Sequence, residues 1–168
     1  MYKNKKFGLS QNQIISILRR IPLFEGLSDR EYVILTDFCH VTAVNEGNYL
    51  FHEGEFGYEL YVLLAGEMSI YNKARGKLGS MKPGDVLGEM AVVRKSSRSA
   101  DAVAERDSLL LRIKRIELDQ LVGKAPRISY IIVLNIARLV SERLLVANNI
   151  NEDPEQEEHW DYEPISVR

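Results

Sequence analysis

Two side chains stand where they could do chemistry together: Glu89 and Arg98, nine residues apart in the segment 84–104, GDVLGEMAVVRKSSRSADAVA. Gly88 precedes the carboxylate and lets a ligand approach the backbone closely. The apolar run Met90-Ala91-Val92-Val93 predicts a short helical turn. Such a turn aims the backbone N–H groups of Met90 and Ala91 at an anion. Arg98 supplies a fixed positive charge that can donate two hydrogen bonds to phosphate oxygens. Ser99 adds a hydroxyl donor, and Ala100 continues into a strand. A carboxylate beside a bound anion is repulsive unless it has a partner of its own. Glu89 fits if it accepts a hydrogen bond from a ligand hydroxyl while Arg98 compensates its charge. A ligand without that hydroxyl is then rejected, because the carboxylate is left unpaired. Taken alone, a glutamate and an arginine at this separation favour a structural ion pair in a turn.

Other chemistries find little support. His40, His52 and His159 lie far apart and show no metal-ligand spacing. No G-x-S-x-G elbow offers a nucleophile. The chain is therefore expected to be no enzyme, with no metal and no cofactor. Its 168 residues are 45% hydrophobic and 27% charged, as in a soluble globular domain. A net charge of −2 gives no global signal for nucleic acid or membrane. The single cysteine, Cys39, allows no internal disulfide and points to a reducing cytosol, where it is expected to be a core residue. Lys3, Lys5 and Lys6 precede an apolar run too short for a signal peptide, and no stretch approaches the roughly 20 apolar residues of a membrane span. A cytoplasmic location is expected.

The elements that must position the segment follow in chain order. Ser10 with Gln13, and Ser28 with Glu31, have capping-box spacing, so two short helices are expected. The first carries Ile14, Ile15, Leu18 and Ile21 and ends at Pro22. The second runs to about Asp37, with Val33, Ile34 and Phe38 toward the core. From Cys39 to Arg112, glycines punctuate seven strand-like segments: 39–44, 49–52, 60–64, 67–71, 77–81, 99–104 and 108–113. Short strands at this spacing indicate a β-sandwich or β-barrel, and no βαβ alternation suggests a parallel sheet. Ile116, Leu118, Leu121 and Val122 then mark a short helix ending near Gly123. Pro126 opens a long helix to about Asn148. Its apolar surface is wider than one sheet requires. It reads either as simple burial or as a second contact with a partner subunit through Ile132, Ile136, Leu139, Arg143 and Val146. The tail from Asn151 carries seven acidic residues against Arg168, with Trp160 and Tyr162 as its large apolar groups.

This layout resembles the cyclic nucleotide-binding domains, which occur in the bacterial catabolite activator protein, protein kinase A regulatory subunits and cyclic-nucleotide-gated channels. The resemblance covers about Ile21 to Leu145. It rests on PLFEGLS at 22–28, GNYLFHEG at 47–54, LYVLLAGEM at 60–68, GDVLGEMA at 84–91 and Arg98-Ser99-Ala100. The glutamate-to-arginine separation matches the kinase regulatory subunits. Leu87 stands where phenylalanine is common, and Ser97 where proline is common.

The resemblance implies a mainly β fold with flanking helices. It implies an eight-stranded β-roll, a double-stranded β-helix or jelly roll, with N-terminal helices and a C-terminal short helix plus long helix. The expected divisions are 1–20, a helical extension; 21–149, the nucleotide-binding domain; and 150–168, the acidic tail. Gly88, Glu89, Met90, Ala91, Arg98, Ser99 and Ala100 would hold a cyclic nucleotide, Glu89 through the ribose 2′-hydroxyl. The family's base contacts often come from the long helix, where Arg138 and Arg143 are candidates to cover the purine. Ser99 fits cAMP and can also serve cGMP. The expected role is a stand-alone sensor, relaying occupancy through the C-terminal helices to an unidentified protein effector or across a homodimer. The alternative is a ligand-free interaction module of the same fold. The twenty residues after Asn148, acidic in balance, are not expected to supply a DNA recognition helix, so no DNA binding is expected.

Overall fold

The computed structural model describes residues 10–94 and 96–147. Readings for Lys3, Lys5, Lys6, Asn148 and the acidic tail with Trp160 and Tyr162 lie outside the described residues. α1 (Gln11–Leu18) starts in a complete capping box. Gln13 N–H donates to Ser10 Oγ at 3.3 Å, and Ser10 N–H to Gln13 Oε1 at 2.8 Å. α2 (Asp29–Leu35) carries the same device from Ser28 and Glu31, and runs into a 3-10 turn over Thr36–Phe38. Local capping chemistry fixes both starts.

Between these helices and the C-terminal pair lie eight strands in two antiparallel four-stranded sheets. The first has the order β1 (His40–Val44), β8 (Ser108–Lys114), β3 (Glu59–Ala65), β6 (Val86–Leu87). The second has the order β2 (Tyr49–Phe51), β7 (Asp101–Ala104), β4 (Met68–Asn72), β5 (Gly76–Met81). Seven of the strands match the segments expected from the sequence; β6, two residues long, had no sequence signal.

The pleat of β3 explains why the chain has two apolar cores. Leu60 and Val62 point one way, joining Val86, Leu111 and Ile113 against the helices. Tyr61 and Leu63 point the other way, into the space between the sheets, where Phe51, Met68, Met81, Ala102, Ala104 and Leu110 meet them. A strand buried on both faces reads as a continuous apolar run, as Leu60–Leu64 does.

α3 (Glu89–Arg94) follows β6, α4 (Arg115–Lys124) follows β8, and α5 (Pro126–Ala147) closes the described chain. Ile14 and Leu18 of α1, Leu121 of α4 and Ile128, Ile131, Ile132 and Ile136 of α5 share the helix-side core with Cys39. Asn135, buried in the middle of α5, donates to the carbonyls of Leu23 and Glu25, each at 3.0 Å. Tyr32 Oη donates to Phe24 O at 2.9 Å. These bonds pin the 3-10 turn Pro22–Phe24 between α2 and α5.

Three expectations are corrected. On α2 the buried side chains are Tyr32 and Leu35, whereas Val33 and Ile34 face solvent, because Tyr32 reaches back to the entry turn. α4 runs through Gly123 to Lys124 and is capped by Ala125, with Ile116 and Val122 exposed. On α5, Ile132 and Ile136 belong to the core and are not available to a partner subunit, and Leu139 is partly buried against that core; of the five residues expected there, Arg143 and Val146 are exposed. The exposed apolar line of α5 is instead Tyr130, Val133, Val140 and Leu144.

Candidate functional site

Strand β6 ends at Leu87 and the chain turns at Gly88, whose φ is 82°. That left-handed backbone suits glycine alone. α3 begins at once, with Glu89, Met90 and Ala91 as its first three residues. Their backbone N–H groups are first-turn donors without intrahelical partners. The chain returns through Ser96 and Ser97 to Arg98. The Arg98 backbone is anchored to the loop after β2: its N–H donates to Glu55 O at 2.8 Å, and its carbonyl accepts from Gly54 N–H at 2.9 Å. Asn72 Nδ2 donates to Ser99 O at 3.1 Å, tying the entry of β7 to the end of β4.

Between these pieces lies an open cavity of about 290 Å³. It is lined by Gly88, Glu89, Met90, Arg98, Ser99 and Ala100 from the expected set, together with Phe51, Ile70, Leu87, Arg94, Ser96 and Ser97. That is the small end of the size range of ligand pockets, enough for a mononucleotide. Half of these lining residues are polar or charged, and two of the charged ones are deeply placed: Glu89 is 7% exposed and Arg98 4%.

The two charges do not pair with each other. Arg98 Nη2 donates to Glu59 O at 2.9 Å, Nη1 makes a long 3.4 Å contact to Gly88 O, and Glu59 Oε2 is 3.7 Å away. Nε has no hydrogen-bond partner among the described residues. Burial pushes the guanidinium below its ordinary value, with Tyr61, Glu59, Glu55 and Glu89 opposing that shift. Glu89 is instead paired with Arg143, whose Nη1 lies 2.5 Å from Oε1 and whose Nη2 donates to Val86 O at 2.6 Å. The expectation that Arg98 compensates the Glu89 charge is thus replaced by a contact from α5. Arg143 grips the site at its carboxylate, and Arg138 turns aside to Asn135 Oδ1 at 3.3 Å.

The residues that hold Arg98 were not read from the sequence. The Phe51 ring centroid lies 4.2 Å and the Tyr61 centroid 5.7 Å from its guanidinium carbon, and Gly57 leaves room for it. Strand periodicity marks Phe51 and Tyr61 as inward, but which strand they face is a long-range matter. The backbone carbonyl of Glu59 carries no sequence signal at all. Among the described residues no cluster of His, Cys, Asp or Glu could hold a metal ion, and no helix is long and apolar enough to cross a membrane.

The cyclic AMP receptor protein of Thermus thermophilus is 29% identical over 131 residues, which is 76% of this chain and 59% of that protein. A cGMP-dependent protein kinase of Plasmodium berghei is 30% identical over 108 residues, 64% of this chain but 11% of the kinase. The chain therefore spans about three fifths of the first relative and a tenth of the second. A crystal structure of a cyclic nucleotide-binding domain from Methylobacillus flagellatus superposes with a TM-score of 0.72 at 24% identity, covering 83% of this chain and 80% of that one. It shares the fold. The model of the cyclic nucleotide-binding domain matches residues 41–125, the whole span from β1 through the cavity to the end of α4. The chain belongs to the cyclic nucleotide-binding domain family.

Proposed function

We propose that this chain binds a 3′,5′-cyclic nucleotide, cAMP in preference to cGMP, in the cavity between α3 and β7, and acts as a regulatory module. The observation that carries the reading is Arg98: a cation 4% exposed, lining the cavity, with Nε unpaired among the described residues. A buried cation without full hydrogen bonding is costly unless an anion completes it. The cyclic phosphate takes the Arg98 donors and the first-turn N–H groups of α3. The ribose 2′-hydroxyl donates to Glu89, whose second oxygen is not engaged by Arg143. Ile70, Leu87 and Met90 offer the purine apolar surface. The preference for adenine rests on similarity: the receptor protein to which the chain is similar carries cyclic AMP in its name.

Calorimetric titration with cAMP, cGMP and 2′-deoxy-cAMP tests this. The parent is expected to bind cAMP most tightly, and the deoxy analogue more weakly. Arg98→Ala is expected to lose about 100-fold or more, as removal of a charge-assisted contact does. No binding of either ribonucleotide by the parent at high micromolar concentration sinks the reading. One observation favours the alternative of a ligand-free interaction module: Glu89 already has a partner in Arg143. That outcome is the one the same titration would reveal.

The occupancy signal is proposed to leave through α5, which carries both Arg143 and the exposed apolar line ending at Leu144, toward a partner protein or a second copy of the chain.

A further inference from the structure

β5 stands at the free edge of its sheet; among the described residues only β4 pairs with it. Residues 76–80 of this strand are all exposed, and Leu78 is 52% exposed. An edge strand turns backbone N–H and C=O groups outward, a template for one more strand. Gly79 lies inside β5 without a positive φ, and a Cβ there would meet open space. Glycine at such a place leaves room for the close approach of another backbone. The edge is also basic. Lys73 and Arg75 in the turn before β5, Lys77 within it and Lys82 just after it are exposed, and residues 68–84 hold no acid. Among the described residues none of these four cations lies in an ion pair.

Like charges set two such edges against each other, so the β5 of a second copy is a poor match. The opposite charge lies in the chain itself. Residues 1–150 carry 21 basic and 17 acidic side chains, whereas residues 151–168 carry one basic and seven acidic. Within that segment His159-Trp160-Asp161-Tyr162-Glu163 alternates aromatic with polar or acidic residues, the period of a strand. α5 ends near the β5 edge: Arg143 holds Glu89, Glu89 and Ile70 line one cavity, and Ile70 pairs with Gly79. Trp160 is thirteen residues beyond Ala147, a reach of about 43 Å in extended chain.

We propose that the chain's own segment 158–163 docks as an added strand on the free edge of β5, with its acids against Lys73, Arg75 and Lys77. The proposal stands apart from the nucleotide reading. Main-chain hydrogen bonds supply the contact, and charge selects the partner. The short connection to α5 sets the segment at an effective concentration on the order of 1 mM. A contact whose own dissociation constant is about 0.3 mM is then about three-quarters formed.

Trp160 is the chain's single tryptophan, so its fluorescence reads this segment alone. In the full chain, quenching by acrylamide is expected to be about fourfold weaker than in the synthetic peptide 148–168. The combined substitution Lys73→Glu, Arg75→Glu, Lys77→Glu is expected to raise quenching to the peptide's level and to speed amide hydrogen exchange over residues 77–80. All three side chains are exposed, and circular dichroism checks the fold. Asp161→Asn with Glu163→Gln is expected to give the same release without touching the folded domain. Arg20→Glu with Arg30→Glu, two exposed cations away from β5, is expected to change neither readout. Parent Trp160 quenched as fully as the peptide overturns the proposal. Protection that survives the β5 substitutions, or that falls equally with Arg20→Glu and Arg30→Glu, also overturns it. So does protection lost only with Val133→Glu and Leu144→Glu, which places the segment on α5. Release with unchanged exchange over residues 77–80 removes the added strand, and protection that fades on dilution seats the segment on a second copy; either overturns the proposal.

Discussion

At Glu89 a buried carboxylate faces the cavity, and its cation comes from α5. Arg143 is 48% exposed at its side chain and Glu89 9%, so the pair is half in water. Solvent screens it from the arginine side, but removing the arginine leaves a carboxylate with little access to water. Arg143→Ala is expected to destabilise the fold by about 1 kcal/mol in chemical denaturation. Glu89→Gln is expected to cost less in the Arg143→Ala background than in the parent, a coupling of about 0.5–1 kcal/mol in a double-mutant cycle. Strictly additive effects would refute the pairing as an energetic contact. The same pair shows how far the sequence could be read at this scale. Gly88, Glu89, Arg98 and Ser99 were legible because their chemistry is compressed into one segment. Their partners were not. Arg143 lies 54 residues from Glu89, and the slot around Arg98 is assembled from β2, β3 and the loop between them. Nothing local says that Arg98 is drawn to the Gly57 side and leaves Glu89 to another helix.

Capping marks what was legible among the elements. Ser10–Gln13 and Ser28–Glu31 declare helix starts through contacts three residues apart, and both starts are found as read. β6 was not legible, because Val86 and Leu87 lie between two glycines and form a strand only where β3 pairs with them. The outward face of α5 was misread for a related reason. Apolar residues lie on both sides of that helix, so periodicity cannot say which stripe is covered; Asn135, turned inward to the Leu23 and Glu25 carbonyls, decides it. Glu31 joins these elements. It caps α2 and also accepts from Arg127 in the first turn of α5. The Arg127 guanidinium, with Ser28 N–H adding to it, holds the Glu31 carboxyl well below its ordinary value of 4.5, at about 2. A carboxyl lowered on folding favours the folded state when charged. That contribution is complete above about pH 4.5 and is lost as pH falls toward 2. Thermal midpoints of the parent and of Glu31→Gln between pH 6 and pH 2.5 are expected to converge as pH falls, over roughly the window where the carboxyl titrates. Parallel curves would show that Glu31 does not carry this acid lability.

At the scale of the molecule, α5 is the element that touches everything: the core through Ile128, Ile132 and Ile136, the entry turn through Asn135, and the cavity through Arg143. Its remaining face carries Tyr130, Val133, Ala137, Val140 and Leu144, all exposed and spaced by alternating three and four residues. That is a 3.5-residue repeat, the spacing of a coiled-coil seam and narrower than the stripe of a helix packed on a sheet. From Tyr130 to Leu144, fourteen residue steps, the line runs about 21 Å along the helix. A seam of this kind matches a second copy of itself across a two-fold axis, where every residue meets its own equivalent or a near neighbour. If the relay proposed for α5 runs to a second copy of the chain, this is the surface that would meet it. Sedimentation velocity is expected to show dimers that the double substitution Val133→Glu, Leu144→Glu converts to monomers, with the helical circular dichroism unchanged because neither side chain belongs to the core. Nucleotide is expected to shift the dimerisation constant, since Arg143 precedes Leu144 on the helix and is held by the carboxylate that would meet the ribose. Arg143→Ala should remove that shift while leaving dimers in place. A parent that remains monomeric at high micromolar concentration, with and without cAMP, rules out the seam as a self-association surface and directs the signal from α5 to a different protein.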